Sequence, residues 1–298
     1  YKIDHPALME EEWEKVWQTG LGIIKNTLPR DKQWVKWAPH CHTTHSHDGR
    51  LKPGELVDLL FGLNTEIGSI TDHGNQETWN ELREGKGIRN GYGYGVHRDN
   101  RSLTIFDTTK DRRLTIPRSI EYMTEDGEIG IHGISEDFPA TERLPLTEAI
   151  HIATDLGGFV AINHVLFWAG IGWTDCKEAG LKVKDKVLEA KKAGAIAIEL
   201  NGTEGWPQYH SSVAARIFAN PDTGVDLALI ATDDAHDWYM LGKSGVGFER
   251  KSFMDRVLEE SPIDIMRDCL TSGEYENFFN YLHPLRFLQF FRFGARIR

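Results

Sequence analysis

Short apolar runs of strand length alternate along this chain with longer stretches whose apolar positions recur every three or four residues. The runs close at "EIGSITDH" (His73), "GFVAINH" (His164), "AIAIEL" (Leu200) and "DLALIATDDAH" (His236). Between them the helical period predicts helices at 53–63, 145–156, 174–193 and 208–219. Strands alternating with helices of this length predict an α/β protein built on a mainly parallel sheet or barrel. Ahead of it, Leu8, Trp13, Val16, Trp17, Leu21 and Ile24 are spaced for an amphipathic helix between Pro6 and Leu28, so residues 1–33 read as an N-terminal helical extension. Two segments interrupt the rhythm. Residues 83–102, "REGKGIRNGYGYGVHRDNRS", are rich in Gly and Arg and read as an insertion loop. "RRLTIPRSIEYM" and "GEIGIHGI" read as two strands joined by the turn "TEDG". Residues 34–283 then form the main domain, and 284–298 a tail with four Arg, four Phe and no acid.

Charge narrows the possible functions. With 34 basic and 45 acidic residues the chain carries a formal charge of −11, which argues against a protein that grips nucleic acid through its phosphates. Three widely spaced cysteines, Cys41, Cys176 and Cys269, do not form a disulfide framework and fit a reducing, cytoplasmic setting. No apolar run is long enough for a spanning helix. The basic, Phe-rich tail is expected to contact either an anionic membrane surface or the acidic body of this or another subunit.

The candidate chemistry lies in where the polar residues fall. His40, His42, His73, Glu121, His164, Glu199, Asp234 and His236 each stand at or just past the end of an expected strand. In an α/β barrel those ends converge on the face that carries the active site. Residues two apart on a strand share a face, so His40 with His42, and Asp234 with His236, each aim two ligand-type groups the same way. Any one of these motifs has an ordinary explanation. A lone His-x-His is often solvated, and "TDH" or "DDAH" can simply cap the next helix. Their recurrence at five or six strand ends points instead to bound metal. Mixed imidazole and carboxylate donors suit zinc, manganese or iron, and more than one ion.

These motifs resemble the polymerase and histidinol phosphatase (PHP) domain, a family of metal-dependent hydrolases with a distorted (β/α)7 barrel. In order, they are "HCHTTHSHDG" at 40–49, "ITDHG" at 70–74, "SIEYM" at 119–123, "GIHGI" at 130–134, "AINH" at 161–164 and "TDDAH" at 232–236. The resemblance covers about residues 34–275 and implies two or three divalent ions. His40, His42, Glu121 and Asp234 would hold one; Glu121 would bridge to a second with His132 and His164; Asp48, His73 and His236 would hold a third. A bridging hydroxide would be the nucleophile, with Glu121, Asp234 and His236 in the catalytic machinery. His47 and Asp48 compete for one ligand place, and Asp48 is favoured. The "NH" and "IELNG" segments also resemble the branch that includes carbaryl-hydrolase-like enzymes.

The resemblance implies hydrolysis of a small phosphate ester. Hydrolysis of a carboxylic ester or carbamate at the same metals is the alternative, and a catalytically silent metal-binding scaffold the third. Trp168, Trp173 and Trp206 are candidates for an aromatic wall. His97, Arg98, Arg118 and His210 are candidates to contact phosphate.

Overall fold

The computed structural model describes residues 25–139, 142–165, 176–201, 209–221 and 225–280. Within these lie thirteen strands and seven helices. In chain order they are β1 (Lys25–Asn26), β2 (Trp34–Cys41), α1 (Pro53–Gly62), β3 (Ile67–Ile70), α2 (Glu77–Arg83), β4 (Tyr92–Val96), β5 (Ser102–Asp107), β6 (Arg112–Pro117), β7 (Ser119–Met123) and β8 (Glu128–His132). There follow α3 (Leu146–Asp155), β9 (Phe159–Ile162), α4 (Cys176–Ala193), β10 (Ala197–Asn201), α5 (Tyr209–Ala219), β11 (Ala228–Thr232), β12 (Gly245–Glu249), α6 (Arg250–Arg256), α7 (Pro262–Ser272) and β13 (Tyr275–Asn280). All four helices expected between 53 and 219 are present within two residues of their expected ends. The N-terminal extension through residue 24 and the tail lie outside the described residues.

The architecture is mixed α/β, with two hydrogen-bonded sheets. One runs β1-β13-β12-β2-β3-β6-β5-β4, the other β11-β10-β9-β8-β7. Two isolated parallel bridges, Cys41 with Ala235 and His73 with Glu121, link β2 to the segment after β11 and the segment after β3 to β7. Both flanks of the five-stranded sheet therefore meet neighbouring strands of the larger one. The segment expected as a loop at 83–102 contains a strand. Gly and Arg hide the alternation of Tyr92, Tyr94 and Val96 along β4, which pairs antiparallel with β5 as an exposed edge. The expected single strand "RRLTIPRSIEYM" divides at Arg118 into β6 and β7, which belong to different sheets.

Strand parity sorts side chains into layers. Along β9, Val160 and Ile162 join a cluster with Ile150 and Ala153 of α3 and Val187 of α4, while Phe159 and Ala161 join Trp37, Ile67, Ala197 and Ile230 in another. The second cluster forms an apolar floor. On β2 the alternation should carry the floor position of Trp37 to residues 39 and 41. The register shifts between Ala38 and Cys41, an interval that includes Pro39, which has no N–H to offer a ladder. Cys41 then packs with the α1 cluster, and His40 and His42, on either side of it in the chain, take the opposite face.

A polar clamp ties the larger sheet to α7. The Arg101 guanidinium donates to Asp99 Oδ2 (2.9 Å), Gly157 O (2.9 Å) and both carboxylate oxygens of Asp264 (2.9 and 2.5 Å). The Arg101 contact is the main cause holding the Asp264 carboxyl below its ordinary range. For Asp99, burial opposes the lowering, and bonds from Ser261 and Arg101 outweigh it. Replacing Arg101 by Ala is expected to cost about 2 kcal/mol at pH 7. Depressed carboxyl pKa values stabilise above the unfolded value of about 4 and lose that contribution as pH falls below it. Thermal denaturation should therefore show a Tm gap between wild type and R101A at pH 7 that narrows at pH 3.

Candidate metal centre

Side chains from β2, β7 and the loops after β3, β9 and β11 converge above the apolar floor. Glu121 lies mid-strand on β7 rather than at its end, opposite Gly130 of β8. A Cβ at Gly130 would stand 3.0 Å from both Asn163 Oδ1 and His132 Nε2, so glycine leaves room for the polar groups around Glu121. Glu121 Oε2 is 3.2 Å from His40 Nε2, 3.4 Å from His42 Nε2 and 3.1 Å from His73 Nδ1. Its Oε1 is 3.4 Å from His164 Nε2. Asp234 is placed similarly, with Oδ1 3.4 and 3.2 Å from the Nε2 atoms of His40 and His42, and Oδ2 3.4 Å from His164 Nε2. On the outer side, Asp48 lies 3.5 Å from His73 Nε2 and 3.3 Å from His236 Nε2. His164 and Asp234 reach these positions from left-handed backbone, with φ of 29° and 46°. Strain of this kind persists only where surrounding bonds fix it.

Those bonds also fix the ring tautomers. Ser46 Oγ donates its single proton to Asp72 Oδ1 (2.9 Å), so it must accept from His42 Nδ1 (3.0 Å). His40 Nδ1 lies 2.7 Å from Glu199 Oε1, an acceptor. Each ring thus donates outward from Nδ1, and the two Nε2 atoms face one another at 2.9 Å. Two lone pairs at that distance repel unless a proton or cation lies between them. Asp48 Oδ1, Glu121 Oε2 and Asp234 Oδ1 likewise accept no hydrogen bond. Ligands bound tetrahedrally at about 2.0–2.1 Å stand about 3.3 Å apart, close to the spacings found here. The donor set therefore fits divalent cations. Among the described residues, the ligand-type groups that come together include His40, His42 and Asp234; His40, Glu121 and His164; His42, His73 and His236; and His47, Asp48 and His73.

The charges reinforce one another. Burial opposes a proton on His40 and His164, yet the carboxylates of Glu121, Glu199 and Asp234 outweigh it and raise both well above the ordinary histidine value. His73 is raised to about 10 against the effect of burial, by its contacts with Asp48 and Glu121. Burial, followed by the neighbouring His236, lowers His42 to about 4. Despite burial, the surrounding imidazoles hold Asp48, Glu121 and Asp234 far below the usual carboxylate range. The cluster thus pairs cationic and anionic groups where a metal would take the place of the protons.

Eight of the nine expected ligands, His40, His42, Asp48, His73, Glu121, His164, Asp234 and His236, lie in this cluster. His132 lies in the floor. It ends β8, which runs antiparallel to β7 and β9, and its ring packs edge-on to Trp37 at 5.4 Å and against Phe159 at 5.1 Å. Burial lowers its pKa to about 3, so the ring is neutral. Of the rival pair in the first loop, Asp48 turns to His73 and His236, whereas His47 is 79% exposed. His45 faces away, to Glu77 and Glu81 of α2.

The expected phosphate contacts are placed elsewhere. Arg118 is buried; its guanidinium donates to Ser135 O (2.7 Å) and Asp137 (2.6 Å) and lies over the Trp79 ring, a structural role in the β6–β7 break. His97 Nε2 is 2.8 Å from Thr104 Oγ1 in the β4–β5 hairpin at the sheet edge, and Arg98 is exposed in the same turn. Trp168, Trp173, Trp206 and the side chain of His210 lie outside the described residues.

Several supporting residues were not singled out from the sequence. Asp72 accepts from Thr43 N (2.6 Å), Thr43 Oγ1 (2.8 Å) and Thr78 Oγ1 (2.6 Å) as well as Ser46. Glu199, noted only as a strand-end residue, also accepts from His164 N (3.0 Å) and from Thr232 Oγ1. Asn163 donates to Glu121 (2.8 Å) and Asn201 to Asp234 (3.1 Å). The i, i+2 pair Glu199 and Asn201 in "AIELN" was the available signal: both take the inward face of β10.

No family model matches the sequence, and no curated protein matches it. The fold is similar to that of PsfC from Pseudomonas syringae PB-5123, at 17% identity and a TM-score of 0.50, covering 89% of this chain and 100% of that one. It is also similar to the lesion-specific endonuclease PfuEndoQ from Pyrococcus furiosus, at 12% identity and a TM-score of 0.53, covering 80% of this chain and 56% of the endonuclease. This chain thus spans little more than half the endonuclease's length. At such identities the likeness is one of fold. Among the described residues no helix is long and apolar enough to cross a membrane.

Proposed function

We propose that this protein is a metal-dependent hydrolase acting on a small phosphate ester. The observation that carries the reading is the approach of His40 Nε2 and His42 Nε2 to 2.9 Å, beside carboxylate oxygens of Glu121 and Asp234 that accept no hydrogen bond. In this reading the fold is a distorted seven-stranded barrel. β2, β3, β7, β8, β9, β10 and β11 form the ring, and the two bridges at Cys41 and His73 stand in for continuous ladders.

His40, His42, Glu121 and Asp234 would hold one ion. Glu121 and His164 would hold a second, and Asp48, His73 and His236 a third on the outer side. When bound, divalent cations lower the pKa of water to about 7 and neutralise charge growing on the ester oxygens. The chain's own contribution is to place and orient. Glu199 and the Asp72–Ser46 pair keep the proton on Nδ1 of His40 and His42, so both Nε2 atoms remain donors to metal. Glu121 spans the inner and outer groups with its two oxygens. Asp48 and His73, the more exposed members, mark the side from which substrate enters.

The metal-loaded protein should release p-nitrophenol faster from p-nitrophenyl phosphate or bis-p-nitrophenyl phosphate than from p-nitrophenyl acetate. Turnover of the acetate alone would replace phosphate with carboxylic ester or carbamate as the substrate.

A further inference from the structure

The entry side of the cluster carries two residues that metal binding does not use. Arg50 lies two residues past Asp48, and Trp238 two residues past His236. The segments are bonded together, Arg50 N donating to His236 O at 3.0 Å. The loop between Asp48 and Arg50 is tightly seated, since a Cβ at Gly49 would stand 1.9 Å from Thr43 O. Asp237, nearly buried, holds both residues. Its Oδ2 accepts from Arg50 Nη1 at 3.3 Å and its Oδ1 from Trp238 N at 2.8 Å.

Trp238 is nevertheless 60% exposed, touching Tyr239 edge-on at 5.8 Å. A large indole kept in solvent on a backbone pinned two residues past the ligand-type His236 suits a planar ring. Stacking on an aromatic face changes affinity by roughly 5- to 150-fold per ring.

We propose that Trp238 determines specificity by stacking a planar substituent of the substrate, with Arg50 supplying positive charge beside the phosphoryl group. The substrates would then be aryl or heteroaryl phosphate esters, nucleotides included, rather than alkyl phosphates. This rests on the phosphoesterase reading above. Asp237 is the positioning residue for the Arg50 guanidinium and the Trp238 backbone.

Phenylphosphonate and methylphosphonate, which are not hydrolysed, separate the ring from the chemistry. Calorimetric titration of the metal-loaded protein should show phenylphosphonate binding about tenfold tighter than methylphosphonate. W238A should lose that preference, with methylphosphonate affinity and metal content unchanged, and W238F should restore part of it. Equal binding of the two ligands by wild type, or the preference surviving in W238A, would overturn the inference and leave the hydrolase reading standing. A W238A protein that changes oligomeric state while keeping the preference would show the indole to be a subunit contact, also overturning it. Binding of neither phosphonate would overturn the phosphoester reading, and the inference with it.

Discussion

Glu121→Gln is expected to remove at least one bound metal ion per chain and to abolish turnover while leaving the fold in place. Gln keeps the shape of Glu, and its carbonyl can still accept from Asn163, so the local packing survives. The backbone bonds of residue 121, to Asp72 O and from Gly74 N, do not involve the side chain. The change is therefore one of charge, at the group that lies within 3.4 Å of ring nitrogens from His40, His42, His73 and His164. Loss of an outer-sphere partner typically costs 10–100-fold in metal affinity or activity. Loss of a carboxylate shared between ions should exceed that, giving a fall in kcat of at least about 10³-fold, since each charge it neutralises goes unmatched. Circular dichroism should be unchanged, and plasma mass spectrometry should count fewer ions. Wild-type metal content together with wild-type rate would remove Glu121 from the centre.

The largest effect on stability is expected at Asp72. Its buried carboxylate gathers four donors, from Thr43 N, Thr43 Oγ1, Ser46 Oγ and Thr78 Oγ1, and so binds the His40–Asp48 loop to the start of α2. Asp72→Ala strands those donors in a buried pocket, at a cost of about 3–5 kcal/mol. Asp72→Asn keeps the volume but offers one carbonyl, and should cost less. Urea denaturation would measure both. Because Ser46 Oγ also accepts from His42 Nδ1 and His73 N, each variant should weaken metal binding as well. Wild-type stability in D72A would show the loop to be held by something other than this carboxylate.

These two residues show unevenly how much the sequence discloses. Glu121 stood out because it fell in an ordered series of ligand types, although the strand end expected there is in the middle of β7. Asp72 did not, because "TDH" is equally the signature of a helix cap, and only the folded loop brings Thr43, Ser46 and Thr78 to it. The four helices from 53 to 219 were legible from their period, and the parallel strands that carry His164, Glu199 and Asp234 from their apolar runs. β4 was not, since an exposed edge strand of alternating Gly and Tyr lacks the buried face that makes a strand visible. The inward turn of His40 and His42 was anticipated from their spacing alone. The register shift of β2 between Ala38 and Cys41, just before the two rings, had no such signal. Arg118, chosen for its charge, is committed to Asp137 and Ser135, a pairing between distant loops that no local pattern encodes.

The central claim is that His40, His42, Glu121, Asp234 and their neighbours hold metal. The protein stripped with chelator and titrated with zinc or manganese, with bound ions counted per chain by mass spectrometry, tests it most directly. Two or three ions per chain, falling in E121Q, is the result this account predicts. A wild-type chain that takes up no divalent ion would contradict it.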